Sequence, residues 1–492
     1  VIWGASYCSL KIWEISFISG IGSRGWDFCI SISGFYLSPR FADRILIESQ
    51  QIWRSVQHIV SSLKNLPNFC RISESPVVNK FLACNLVFFS SLAAYAADTP
   101  VGGHAPEPPQ AQVSTAPEAK PISSKWYERI SLRGYTQFRY NRLGRPDPSL
   151  VSPQGDKAIG GMNGFSIRRA RLVFSGDVTE SIFIYIQPDL ASTPDYASGS
   201  GGSATNFLQM RDLYGDIFLD AEKEFRFRLG QSKVPFGFEN VQSSQNRLAL
   251  DRDDALNSAV KDERELGVFF YWAPKEIRQR FKFLTDSGLK GSGDYGVFGL
   301  GIYNGQNANR PDLNRNLHTV ARLTYPFQFN NGQVVEASLQ AYTGRFTVGT
   351  APIAGAAVSG GDFEDKRWAA SLIVYPQPFG FQAEYNQGQG PRLNLAQTAV
   401  EVGALEGGYA QVMYKHDNLI PFVRVQYYKG GRKHDQNAPM QDIRETELGI
   451  EWEPIKALEL TGMYAFTARN VSAAPYGRIS DNLIRLQAQL NY

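Results

Sequence analysis

The chain has 492 residues, 43% of them hydrophobic, with mean hydropathy −0.27 and a formal net charge of +3. It holds no run of 18 uncharged apolar residues, which argues against a membrane protein built of helices. A membrane barrel stays open, because half of each of its strands is polar.

The beginning of the chain differs from the rest. Cys8, Cys29, Cys70 and Cys84 all precede residue 85, and the first methionine is Met162. Residues 77–96 read as a secretory signal peptide: Lys80 supplies positive charge, Phe81 to Leu92 an apolar run, and Ala94-Tyr95-Ala96 a small-residue cleavage site. A short buried helix is the plainer alternative, but it needs no such order of charge, apolar run and small residues. Residues 1–76 then stay unassigned, as a possible over-extended reading frame upstream of a start at Val77 or Val78. Without residues 1–96 the chain carries 42 basic and 42 acidic residues and no cysteine. The net charge therefore gives no reason to expect nucleic acid as a partner, and the lack of cysteine suits an oxidising periplasm.

Residues 97–126, with Pro106, Pro108, Pro109, Pro117 and Pro121, read as an extended linker. From 127 to 492 the pattern changes to strands. Ile130, Leu132, Thr136, Phe138 and Tyr140 alternate with Arg133, Tyr135, Gln137 and Arg139. After a loop at 141–163, Ala170, Leu172 and Phe174 oppose Arg169 and Arg171. A tight turn at 177–179 leads to Ile182, Ile184 and Ile186 against Tyr185 and Gln187. A Gly/Ser loop at 191–206 follows, then Leu213, Ile217 and Leu219 against Asp212, Tyr214 and Asp216. Phe225, Phe227 and Leu229 oppose Arg226 and Arg228. The pattern continues to Ile484–Tyr492, where every even position is apolar or aromatic and every odd one polar.

Short turns alternate with long loops, so neighbouring strands are expected to be antiparallel, with all short turns at one end. The spacing predicts an all-β fold: a sixteen-stranded antiparallel transmembrane β-barrel. Segments of about ten residues suit a tilted crossing, and open sheet edges cannot persist in lipid, which forces closure. The stretch 280–286 also alternates. An even strand count makes 273–293 one long connection on the short-turn side, with 280–286 as a hairpin extension. Residues 234–264 form the longest loop inside the repeat. Its Arg247, Arg252, Lys261 and Arg264 mix with Asp251, Asp253, Asp254, Asp262 and Glu263.

Three stretches resemble the phosphate-selective porin O/P family: Phe165-Ser166-Ile167-Arg168-Arg169-Ala170-Arg171-Leu172, Leu229 to Gly237, and Tyr303-Asn304-Gly305. The terminal Leu490-Asn491-Tyr492 is similar to the C-terminal signal that such barrels present to the barrel assembly machinery. The resemblance implies an outer-membrane barrel in a Gram-negative bacterium, commonly a homotrimer, surrounded by outer-membrane lipid and lipopolysaccharide. It implies that the third loop, 234–264, folds inward. It implies passive diffusion of small anions such as phosphate or polyphosphate. Guanidiniums in a row replace part of an anion's hydration shell without a deep trap. The pore-lining candidates are Arg133, Arg139, Arg169, Arg171, Arg226, Arg228, Arg247, Arg252, Lys261 and Arg264, with Asp212 and Asp216 as acidic counter-charges. Paired charges that stiffen the wall are the alternative reading of any one arginine. Glu445, Glu447, Glu451 and Glu459 are expected inward on later strands, and a general, non-selective porin fits them equally.

Nothing calls for a cofactor or a metal. The histidines beyond residue 96 (His104, His318, His416, His434) fall in no metal-binding spacing, and neither a GxSxG nor a phosphate-binding glycine loop occurs. An enzyme is thus not expected. An adhesin acting through loops 141–163 and 346–366 has only loop length in its favour.

Overall fold

The computed structural model describes residues 125–144, 164–192, 206–471 and 478–492. The proposed signal peptide, the extension before it, residues 97–124 of the linker and most of loops 141–163 and 191–206 lie outside the described residues. After a 3-10 turn at Trp126–Arg129 come β1 (Ser131–Leu143), β2 (Gly164–Asp177), β3 (Ile182–Ser192), β4 (Asn206–Phe218) and β5 (Phe225–Lys233). Two short helices follow, α1 (Phe238–Val241) and α2 (Asp254–Ala259), then β6 (Arg264–Trp272), helix α3 (Lys275–Asp286), β7 (Phe298–Tyr303) and β8 (His318–Gln328). The remaining wall is β9 (Val334–Val348), β10 (Gly361–Val374), β11 (Phe379–Leu393), β12 (Val400–Tyr414), β13 (Leu419–Gly431), β14 (Met440–Ile455), β15 (Leu458–Val471) and β16 (Arg478–Asn491).

Each strand pairs antiparallel with the next, and β16 returns to β1, so the sixteen strands close into a barrel. The reason is visible in the alternation. Trp368, Leu448, Ile450 and Trp452 are exposed on the outside, while Arg367, Arg424, Glu445 and Glu447 face inward and are buried. A pleated strand presents these two sets on opposite faces, and a lipid-facing wall selects the apolar set for the outside. No helix of the described residues is long and apolar enough to cross a membrane.

At the closing seam Gly134 N–H donates to the Tyr492 carbonyl at 2.6 Å, and Tyr492 N–H donates back at 3.0 Å. The register from Tyr135↔Asn491 to Leu143↔Leu483 then runs unbroken. A Cβ on Gly134 would lie 2.5 Å from the Tyr492 ring and 2.6 Å from the Arg171 carbonyl oxygen, so only glycine fits there.

The expected hairpin extension at 280–286 is wrong. Those residues belong to α3, on the connection between β6 and β7. Phe281 and Phe283 imitate strand alternation, but Ile277, Phe281 and Leu284 fall at helical spacing and are the buried ones, leaving Phe283 exposed. Pro274 stands at the N-cap, where its fixed φ does no harm to the helix. β7 starts only at Phe298.

Overpacking at the seam gives a direct check. Gly134→Val is expected to cost about 1–3 kcal/mol. It should lower the temperature at which the folded barrel shifts to unfolded mobility on electrophoresis; an unchanged shift would contradict the seam geometry.

Candidate functional site: the charged lumen

Inward-facing side chains of the wall meet the segment between β5 and β6, residues 234–263. Its contacts fall on opposite sides of the cylinder, so the segment lies within it. On one side Tyr135 Oη is 2.7 Å from Ser244 Oγ, and Arg139 on β1 donates to the Leu250 carbonyl at 2.8 Å. On the other, Glu384 on β11 accepts from Phe238 N–H and Glu239 N–H, Asn386 donates to the Ala255 carbonyl at 2.8 Å, and Arg367 on β10 donates to Ser258 Oγ at 2.7 Å. Local chemistry shapes the loop. The Asp253 carboxylate caps α2 by accepting from the Ala255 and Leu256 N–H groups. Gly237 takes φ +84°, and a Cβ there would strike Leu256 Cδ1 at 2.5 Å.

Three carboxylates hold the loop to the wall. Asp251 is completely buried and takes Arg139 at 3.1 Å, Arg168 at 3.8 Å and Arg485 of β16. Glu263 takes Arg247 at 3.0 Å, Arg252 at 3.2 Å, Lys233 at 3.5 Å and Arg264. It does so from a left-handed backbone, φ 65°, which a non-glycine residue holds only when its surroundings over-determine it. Glu239 takes Arg424 at 2.7 Å, and Arg424 also pairs with Glu447 at 3.0 Å. Buried ions need such pairing, since an unpaired one carries its full desolvation penalty.

The residues singled out in the sequence fall into two sets. Arg139, Arg247, Arg252 and Arg264 pair with carboxylates at the loop; Arg171 pairs with Asp189 at 2.8 Å. Arg228 grips Asp216 with two bonds at 2.7 and 2.8 Å, and Arg226 pairs with Asp294 at 2.7 Å. Asp212 receives Arg264 at 2.9 Å. Arg169 donates to Gln137 at 3.0 Å. Arg133 and Lys261 stand apart: neither has a carboxylate within ion-pair distance among the described residues. Arg133 is exposed at the short-turn end and reaches the Tyr185 hydroxyl at 3.4 Å. Lys261 lines a cleft with Asp254, Tyr428, Arg432 and His434 at the opposite end.

Two ionisable groups outside the strands show the local field. Burial would raise the Asp294 carboxyl, yet the Arg226 guanidinium holds it down, to about 2. Burial draws the Lys433 ammonium down to about 8, against the pull of Asp365.

Strict alternation missed several contributors. Arg168 and Arg211 sit at bulges, where one strand carries an extra residue against its partner. Arg168 should face out by parity, but turns in towards Asp251. Arg322, Arg367, Arg424 and Arg485, by contrast, follow the alternation and are buried inward. Among buried residues of the described chain, thirteen arginines and three lysines meet seven aspartates and nine glutamates.

A closed sixteen-stranded barrel, apolar outside and charged within, is the architecture of an outer-membrane porin. The profile of the family described as phosphate-selective porin O and P matches residues 151–492, and the chain belongs to that family. No curated protein matches it in sequence. Its fold is similar to solved structures at low identity. OmpT, an outer membrane protein of Vibrio cholerae, aligns at 12% identity and TM-score 0.44, covering 74% of this chain and 97% of that one. The outer membrane channel DcaP of Acinetobacter baumannii aligns at 13% and 0.44, with 74% and 97% coverage. An anion-selective porin from Comamonas acidovorans aligns at 11% and 0.43, with 74% and 99% coverage.

Removing the hub tests whether it fixes the loop. Asp251→Ala leaves the Arg139 and Arg485 guanidiniums buried without this counter-charge, a loss of about 3–5 kcal/mol for a buried pair. Lower heat stability and a noisier single-channel current are expected; quiet current at wild-type stability would mean that the loop is held elsewhere.

Proposed function

We propose that this outer-membrane porin conducts small anions passively, phosphate among them, with a modest rather than a strict preference. The observation that carries the reading is the inequality between paired and unpaired charge. The buried interior is balanced, sixteen cationic side chains against sixteen carboxylates, so it adds little net potential along the axis. Arg133 and Lys261 are cations without a carboxylate partner, one towards each end of the lumen. Unneutralised charge in a low-dielectric mouth raises the local concentration of the opposite ion. The anions then cross a polar interior whose arginines are already engaged, which avoids a deep trap.

A general porin is the second reading, and the charge balance itself favours it. The protein works as a channel rather than an enzyme, in the outer membrane of a Gram-negative bacterium, as a homotrimer inserted by the barrel assembly machinery beside lipopolysaccharide. The segment 77–96 serves as its export signal and 97–126 as a linker.

Reversal potentials in a planar bilayer under a KCl gradient decide between the two. The expected result is anion preference that shrinks in Lys261→Gln and again in Lys261→Gln/Arg133→Gln. Cation preference, or a preference insensitive to both changes, would contradict the proposal.

A further inference from the structure

Exposure inside the barrel is local. Between the rims, the inward-facing residues of β5–β16 other than glycine are buried, and so are Tyr135, Gln137, Arg139, Arg169, Arg171, Gln187 and Asp212 on the early strands, whereas Arg133, Tyr185 and Tyr214, near the short-turn end of β1, β3 and β4, retain accessible surface. Water and solute therefore have room along the early strands near the short-turn end. The side chains that border this room are chemically specific.

One lateral row of the sheet reads Ser131↔Ser175↔Tyr185↔Tyr214↔Gly230. Tyr185 and Tyr214 stack with centroids 5.1 Å apart and planes 7° from parallel. Arg228 closes against the Tyr214 ring at 3.8 Å. Since the stack runs along the row, the second face of Tyr185 turns towards Ser175. Among the described residues no other ring packs on Tyr185. The two serines next in the row are small, and their hydroxyls lie 3.3 Å apart at an exposed site. Above this floor stands the Arg133 guanidinium, 3.4 Å from Tyr185 Oη. The result is a slot with one aromatic wall, a floor of two serines and a cation without a carboxylate partner at its edge.

We propose that this slot binds small aromatic carboxylates in transit, the ring lying against Tyr185 and the carboxylate on Arg133. The inference rests on the anion-conducting reading above and narrows its solute class. A flat ring gains from an offset stack on tyrosine, and a guanidinium matches a carboxylate with two parallel hydrogen bonds. An inorganic anion or an aliphatic acid can use only the second contact. The slot therefore selects on the ring, which charge alone cannot do.

The test is single-channel recording of the full-length protein in planar bilayers, with benzoate or acetate titrated on both sides. In the wild type, benzoate is expected to interrupt the current at concentrations about tenfold below those of acetate, the scale of one aromatic contact. Tyr185→Leu removes the ring, and Ser175→Leu fills the floor. Either should abolish the difference between the two acids, judged against each variant's own open-channel current. Arg133→Gln should weaken block by both. Equal block by benzoate and acetate in the wild type, with anion preference intact, would overturn the slot and leave the proposed function standing. Discrimination that survives both leucine variants would place aromatic binding elsewhere and also overturn it. Cation preference with no block by either acid would remove the anion-conducting reading and the slot together.

Discussion

The pairing of β1 with β16 is the constraint from which the rest follows. In hydrocarbon, an unpaired strand edge would leave a row of N–H and C=O groups with no partner, so the sheet has to close. Closure confines the polar faces of sixteen strands to one interior, and there the third loop takes up much of the space. The seam and the loop then support one another. Asp251, carried by the loop, binds Arg139 of β1 and Arg485 of β16, the two strands that meet at the seam, and Arg168 of β2 beside them. A single carboxylate thus ties three neighbouring staves to the loop.

The same confinement decides what the lumen charges do. Side chains that read as a ladder of arginines spend most of their hydrogen bonds on carboxylates: Arg171 on Asp189, Arg228 on Asp216, Arg264 on Asp212 and Glu263. These pairs stiffen the wall and position the loop. Net field is left to the few groups outside the pairing, and the distribution is uneven around the ring. Arginines concentrate on β1, β2, β4 and β5, while Glu384, Glu445, Glu447, Glu451 and Glu459 face in from β11, β14 and β15. The loop crosses between these walls and pairs with both, through Asp251 on the first and Glu239–Arg424 on the second. Accessible surface remains at the short-turn end of the first wall, around Arg133, Tyr185 and Tyr214.

Much of the fold was legible because a strand that separates lipid from a polar interior has to alternate. The strand number, the closure and the inward side of Arg226 and Arg228 follow from that one rule. It failed where the backbone breaks the period. At 280–286, Phe281 and Phe283 alternate as in a strand, but Phe281 shares the buried helix face with Leu284 and with Ile277, which lies outside that window. At Arg168 a bulge reverses the expected face. The charge pairing was beyond reach for another reason: Arg139 and Arg485 are separated by 346 positions yet meet at one carboxylate. Asp212 and Asp216 could be named as acidic residues between basic strands, but their partners could not be assigned without the register. The Tyr185–Tyr214 stack is a directly opposed pair of β3 and β4, and no local pattern announces it.

The central claim is that solute enters beside the early strands at the short-turn end, where the opposite wall is packed shut. Cysteine accessibility measures it most directly, because all four native cysteines precede residue 85 and none lies in the barrel. Single cysteines at Ser175, on the open side, and at Ser371, buried on β10 against Glu384, would be exposed to a charged, membrane-impermeant thiol reagent during bilayer recording. The account expects a fall in current for Ser175→Cys and none for Ser371→Cys. Modification of Ser371→Cys with Ser175→Cys untouched would contradict it.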